Sequence, residues 1–365
     1  MAKEQSVEQD FDLSEDRPLA GEVRTFPLGE AWFFSPKPLP SARVSEGGLG
    51  ESNQILEIND TYMDLGQSNH GKAFQVQLVM LCITLALCVV ITIFVSIAVS
   101  NQAVHGGFLP ALFFDLKEEG GVVFLALLSL VLVLWYAIIS TSLNKARQKP
   151  IRFHRQRREV CYFKTGSDTP IIVPWEEVVS WVSVYKGFTG SAVVENVTFG
   201  IALPDTTGQD YWMFRRPISI MEEGQLHWEV IRCFMEERPE FWATPAGNEN
   251  RTTFDERRRQ IIDEFKSSPK PFFAMSMSNP TASYFNLFGY YVFNMMSLWK
   301  LPYLVAEWDS KISMAKFPPE IDEWSKPLLE EEWAKPSDEL RKQKAIAEKL
   351  YKSGGNLKDL QKLIA

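Results

Sequence analysis

Two uninterrupted apolar runs constrain this chain more than any other feature. The first, LVMLCITLALCVVITIFVSIAV, extends from Leu78 to Val99 without a charged residue. As a helix it reaches roughly 33 Å, enough to cross a hydrocarbon core of about 30 Å. The second, VVFLALLSLVLVLWYAII, extends from Val122 to Ile139. It reaches roughly 27 Å, so it spans by standing upright or by recruiting its flank. Trp135 and Tyr136 near its end suit a membrane–water boundary. The first run begins too far into the chain, and is too long, for the apolar region of a signal peptide. The other reading is a pair of buried core helices, which rarely carry apolar runs of this length. A transmembrane hairpin is expected over residues 74–143, with spans at about 78–99 and 122–142.

The basic residues set its orientation. Lys145, Arg147, Lys149, Arg152, Arg155, Arg157 and Arg158 follow the second run, with no acid before Glu159. The connector between the runs offers Lys117 beside Asp115, Glu118 and Glu119, and its FLPALFFDL stretch suits the interface. The positive-inside rule therefore puts the segment after Ser140 in the cytoplasm, and two spans return the N-terminus to the same side. Four cysteines, Cys82, Cys88, Cys161 and Cys233, are too few for a disulfide scaffold and agree with a reducing compartment. With 38 Lys and Arg against 46 Asp and Glu, the net charge of -8 argues against nucleic acid as a partner.

The soluble parts divide into three. Residues 1–73 form an acidic, Pro- and Gly-containing segment in which Pro36, Pro38 and Pro40 follow Trp32, Phe33 and Phe34. It is either a mobile tail or a segment that these aromatics dock onto the cytoplasmic domain or the membrane surface. Residues 144–240 are β-rich. IRFHRQRREVCYFK reads as two strands about a basic turn, and PIIVPWEEVVSWVSVYK as a strand, a Pro-Trp corner and a strand. Val197, Phe199, Ile201 and Leu203 alternate along one arm of a hairpin turned at Pro204 to Gly208. A helix from about Met221 to Met235 closes the unit with a broad apolar stripe. Residues 241–365 hold a linker, an apolar helix at about 283–306 and charged helices at the end. The apolar helix has three readings: a third span, an interfacial helix, or a helix packed on the strand domain. Ser337 caps the charged helix that follows, with Asp338 and Glu339 in its first turn.

The basic strand with REVCYF, followed by IIVPWEEVVSWV, resembles bacterial pleckstrin-homology-like domains that follow paired membrane spans. The layout is similar to a bacterial two-span family of unknown function, often encoded near type VI secretion genes. RFHRQRREVCYF, VPWEEVVSWV and FPPEIDEW carry the likeness, which covers roughly residues 74–325. The resemblance implies an α+β membrane protein of the bacterial inner membrane. A two-helix transmembrane hairpin would be followed by a β-rich pleckstrin-homology-like domain and a helical C-terminal extension. It also implies an immunity or accessory factor of a contact-dependent secretion system, partnered by a cognate effector or secretion protein. A membrane-inserting effector and a lipid-acting enzyme at the cytoplasmic face are the alternatives.

No Walker loop, GxGxxG, GxSxG or HExxH occurs, so the sequence points to no enzyme and no cofactor. His70, His105, His154 and His227 fall in different regions, and neither His154 with Cys161 nor His227 with Cys233 makes a convincing metal pair. The basic run is the strongest charged feature. Lys145, Arg147, Lys149, Arg152, Arg155, Arg157 and Arg158 are the candidate contacts for anionic lipid headgroups or a protein partner, beside their role in topology.

Overall fold

The computed structural model describes residues 13, 17–27, 29–34, 37–42, 49–66, 71–188, 193–206, 208, 210–247, 249–267, 284–313 and 317–364. The acidic start up to residue 12, Pro36, Gly47, Gly48, His70, and Pro269, Pro271 and Pro280 lie outside the described residues. The chain forms two compact units. One combines Met1–Ser68, Lys149–Ala246 and Lys316–Ala365; the other combines Asn69–Gln148 and Gly247–Ala315. The apolar runs become the two long helices of the second unit, α1 (Lys72–Asn101) and α3 (Gly120–Ala146), with α2 (Phe108–Glu118) between them.

The first unit is built on two antiparallel sheets of five strands each. The segment before α1 supplies β1 (Val23–Phe26), β2 (Gly29–Phe33), β3 (Glu51–Ser52), β4 (Ile55–Ile58) and β5 (Tyr62–Leu65). The segment after α3 supplies β6 (Ile151–His154), β7 (Glu159–Phe163), β8 (Pro170–Pro174), β9 (Val179–Phe188), β10 (Val193–Pro204) and β11 (Tyr211–Ile218). It continues into α4 (Met221–Glu236) and the two-residue β12 (Thr244–Pro245), which pairs in parallel with β3. One sheet has the order β1-β2-β9-β10-β11 and the other β4-β5-β6-β7-β8.

The period-two pattern of β10 decides how the sheets pack. Val197, Phe199, Ile201 and Leu203 point to the main core, where they join Phe153, Tyr162, Trp175, Trp228 and Phe234. Ala202 points the other way, into a second cluster with Leu13, Ala31, Phe33, Val179 and Trp181. With both faces covered, β9 is buried without alternation from Val179 to Ser183. α4 approaches this sheet through Gly224, where a Cβ would lie 2.1 Å from Cγ2 of Val182. Phe33 and Phe34 are both buried, so the aromatic trio docks onto the strand unit.

In the second unit, α1 and α3 run in opposite directions, because the start of α1 lies beside the end of α3. Lys72 Nζ donates to the Ile138 carbonyl and to Thr141 Oγ1, each at 3.3 Å. α2 folds back on α1; Ala111 and Asp115 of α2, and Phe94 and Ala98 near the end of α1, are buried. Three more helices follow, α5 (Arg251–Ser267), α6 (Tyr284–Met296) and α7 (Leu301–Ser313). The single apolar helix expected over 283–306 is thus two helices, broken where Leu298 and Trp299 take left-handed backbone angles, φ 61° and 57°. Pro302 stands in the first turn of α7, where its missing N–H costs nothing. The pair lies against the long helices: Leu301 and Val305 pack with Val76, Met80, Ile83 and Ile138.

The last three helices return to the strand unit. α8 (Pro319–Trp324) lies on the outer face of the second sheet, with Ile321 against Cys161 and Phe163. α9 (Asp338–Lys352) and α10 (Leu357–Ile364) add Leu340, Ala347, Leu357 and Leu360 to the main core. Ser337 caps α9 as its sequence pattern requires, its Oγ accepting from Leu340 N at 3.1 Å.

Candidate functional site

The basic run divides at the unit boundary. Lys145 lies in the last turn of α3 and Arg147 is exposed just beyond it. Lys149 and the four arginines that follow belong to the strand unit. Lys149 Nζ donates to Asp168 at 2.7 Å and sits 4.3 Å from the Phe163 ring centroid.

Arg152 is 4 % exposed, which corrects its assignment as a headgroup contact. Alternation along β6 sends Ile151 and Phe153 to the main core and Arg152 to the opposite face, which the C-terminal segment covers. Its Nε and Nη2 donate to the two oxygens of Asp64, each at 2.6 Å, and Nη1 donates to Ser325 Oγ at 2.8 Å. The guanidinium lies between the rings of Tyr62 and Phe317, 3.8 and 4.0 Å from their centroids. Burial opposes its charge, but the fork to Asp64 outweighs burial and raises its pKa.

The turn between β6 and β7 holds the other three arginines. Arg155 donates to the Glu237 carbonyl at 2.7 Å, over the Trp242 ring, and burial lowers its pKa. Arg157 donates from Nε to the Trp324 carbonyl at 3.1 Å. Arg158 adopts a left-handed backbone, φ 54°, and pairs with Glu236 at 2.5 Å and Glu176 at 3.5 Å. Glu176 in turn accepts from the Ser337 hydroxyl at 2.6 Å and its N–H at 2.9 Å. Burial alone would raise the Glu176 pKa; Ser337, Arg158 and Lys37 together lower it. Most of the charge once assigned to an outside partner is therefore engaged inside the strand unit.

The structure brings the three distinctive sequence stretches together. FPPEIDEW covers the strand face that carries Arg152 and His154, with Trp324 edge-on to His154 at 4.9 Å and its Nε1 donating to Glu159 at 2.9 Å. Trp175 of VPWEE stacks on Trp228 at 5.5 Å, meets Phe153 edge-on at 5.7 Å, and donates to Glu236 at 3.0 Å. Trp181 and Trp175 are both core residues. The carboxylates that complete this arrangement, Asp64, Glu176 and Glu236, were not singled out by the sequence. Asp64 carried a usable signal as the one acid inside the short apolar strand YMDL.

A cleft of about 620 Å³ opens beside the basic turn, lined in part by Arg17, Lys37, Arg157, Arg158, Glu176 and Glu339. Its charges are mixed and partly paired, Lys37 lying 3.0 Å from Glu339 and 3.7 Å from Glu176. Cys161 and Cys233 are both buried, and burial pushes both thiols up to about 12. Among the described residues no three His, Cys, Asp or Glu side chains gather in a way that would hold a metal. A comparison with protein-family models, curated proteins and solved structures finds no match.

Proposed function

We propose that this chain is a membrane-anchored, non-enzymatic interaction protein of the bacterial inner membrane. In this reading α1 and α3 form the transmembrane hairpin, and both soluble ends lie in the cytoplasm. The observation that carries it is how bare the two long helices are. A core helix is mostly buried, yet only 11 % and 6 % of their most apolar windows are covered by protein. Leu87, Val89, Ile91 and Ile93 on α1, and Phe124, Leu125, Leu132 and Val133 on α3, are 46–64 % exposed. In water such half-exposed side chains would each forfeit about 1 kcal/mol of available burial. A contiguous surface of that kind fits lipid.

The hydroxyls support the same reading. Ser and Thr side chains in hydrocarbon need a protein acceptor. Thr92, Ser96 and Ser100 on α1, and Ser129, Ser140, Thr141 and Ser142 on α3, all donate three or four residues back to their own helix. Thr84 donates to the Met296 carbonyl at 2.7 Å. None of them depends on water.

The strand unit fits a pleckstrin-homology-like module, with two antiparallel sheets and a helix, α4, directly after β11, the last strand of the first sheet. Its paired internal charges suit an assembly module better than a site that must release a product. Arg147 and Lys145 are the bases best placed beside headgroups, each contributing about 1 kcal/mol of surface attraction. The further step, to an immunity or accessory factor of a type VI secretion system, rests on the resemblance of the three motifs.

Two experiments test the proposal. A reporter fused after residue 365 is expected to be active only in its cytoplasmic form; an exported C-terminus overturns the topology. Co-expression with the products of adjacent genes is expected to reveal one whose toxicity this chain relieves. Toxicity of this chain on its own favours the membrane-inserting effector instead.

A further inference from the structure

We infer that the α6–α7 hairpin is a lipid-facing wedge, seated in the leaflet next to the basic end of α3, with acyl chains as the occupant of its outer face. The inference rests on the reading of α1 and α3 as spans and adds a third membrane-contacting element. Its inner face is fixed by contacts within the helical unit. Thr84 Oγ1 donates to the last carbonyl of α6, Met296 O, at 2.7 Å. Thr84 stands six residues inside the apolar block that starts at Leu78, roughly 9 Å along the helix axis. Leu301 and Val305 pack with Met80, Ile83 and Trp135, so α7 runs back along the same stretch. Asn294 and Ser297 turn inward and are 2 % and 0 % exposed.

The outer face has the opposite character. Phe285, Phe288 and Met295 follow helical spacing on α6, Leu298 continues them at the turn, and Leu304 and Trp308 extend the surface on α7. All six are exposed, from 37 % at Trp308 to 68 % at Met295. Lys300 and Glu307 turn away from that surface, Asp309 is buried, and the exposed Lys311, three residues past Trp308, ends it on α7. Lys300 pairs with Asp255 at 2.8 Å, and Glu307 with Arg251 at 2.9 Å, both toward the charged helix α5. The three helices thus have one wet edge and one oily edge, and the oily edge continues the bare surface of α1. A protein partner or a second copy could also cover such a face; the continuity with α1 at the depth of Thr84 selects lipid.

The test places a photo-crosslinking residue, one at a time, at Phe288, Leu298, Leu87 and Leu329 of the full chain in its native membrane. Leu87 reports the span, and Leu329, 71 % exposed in the strand unit, reports background. Lipid adducts at Leu87, Phe288 and Leu298, well above those at Leu329, are the expected result. Lipid adducts at Leu87 alone, with Phe288 and Leu298 at background or joined to protein, overturn the wedge and leave the spans standing. Background yield at Leu87 as well removes the membrane reading itself. Because the probed side chains face outward, the melting temperature of each variant should match that of the parent, which separates lost contact from lost fold.

Discussion

Arg152 and Asp64 face one another across the β5–β6 ladder and form a two-pronged ion pair in which each side chain is 5 % exposed. The pair lies between the sheet and the C-terminal segment, because the remaining guanidinium nitrogen reaches Ser325. Removing one partner strands a buried charge. Asp64→Ala should therefore cost about 3–5 kcal/mol, read as a lower urea midpoint. Arg152→Lys keeps the charge but loses the fork and the stacking between Tyr62 and Phe317, and about 1.5–3 kcal/mol is expected. Were Arg152 a headgroup ligand, its variants would weaken binding to anionic vesicles while leaving the midpoint in place.

Gly224 poses a contest between two effects of known size. In an exposed helix, Gly→Ala stabilises by about 1 kcal/mol through backbone entropy. Here the new methyl would stand 2.1 Å from Val182 Cγ2 and 3.0 Å from Ile218 Cδ1, and the β-branched Val182 is itself buried with no rotamer to spare. Overpacking of this kind costs about 1–3 kcal/mol, so Gly224→Ala should destabilise. A melting temperature at or above the parent's would mean that α4 does not sit this close to β9.

How much of this was legible before the structure depended on how local the cause was. The strands from Ile151 to Ile218, the Pro-Trp corner at Trp175, the helix from Met221 and the Ser337 cap are each written in a few adjacent residues, and each forms where its pattern places it. The sheets' other four strands, β1, β2, β4 and β5, lie before α1 and were not read. β2 has only five residues, and its partner β9 begins about 150 positions later, so no local alternation marks it. The burial of the basic run was hidden for the same reason. Arginines after a span look like a surface until Asp64 from one side and Phe317 from the other are known to enclose them. The break inside 283–306 was within reach, since Pro302 marks a helix start and not a helix middle.

Two buried histidines set a pH dependence with a definite sign. Burial lowers both His154 and His227 to about 4, helped by Arg157 at the first and by Arg216 at the second. In the unfolded chain each returns to 6.5, so between about pH 6.5 and pH 4 the unfolded state binds more protons. The stability that their neutrality confers is complete above the unfolded value and is lost as pH falls toward the folded one. At most about 3 kcal/mol is at stake for each. The urea midpoint should fall between about pH 7 and pH 5, where most carboxylates stay ionised. His227→Gln should flatten that slope; an unchanged slope in this variant would place its source elsewhere.

Lys72 and Asp309 make the corresponding test in the helical unit. Their side chains are 9 % and 2 % exposed, the ammonium lies 3.8 Å from Asp309 Oδ1, and among the described residues neither Asp309 oxygen accepts a hydrogen bond. The pair is looser than the Arg152 fork, and its attraction must offset the desolvation of two ions. It joins the first turn of α1 to α7, while the lysine also reaches α3 through the Ile138 carbonyl and Thr141. Asp309→Leu leaves the lysine buried without a counter-charge and should cost about 3–5 kcal/mol. Lys72→Met with Asp309→Leu removes both ions and should restore most of the loss, since an apolar pair of similar size needs no desolvation. Thermal unfolding in one mild detergent, run on the parent, both single variants and the double, yields the coupling energy directly. A double variant that loses the sum of the two single losses would show that the ions do not hold these helices together as a pair.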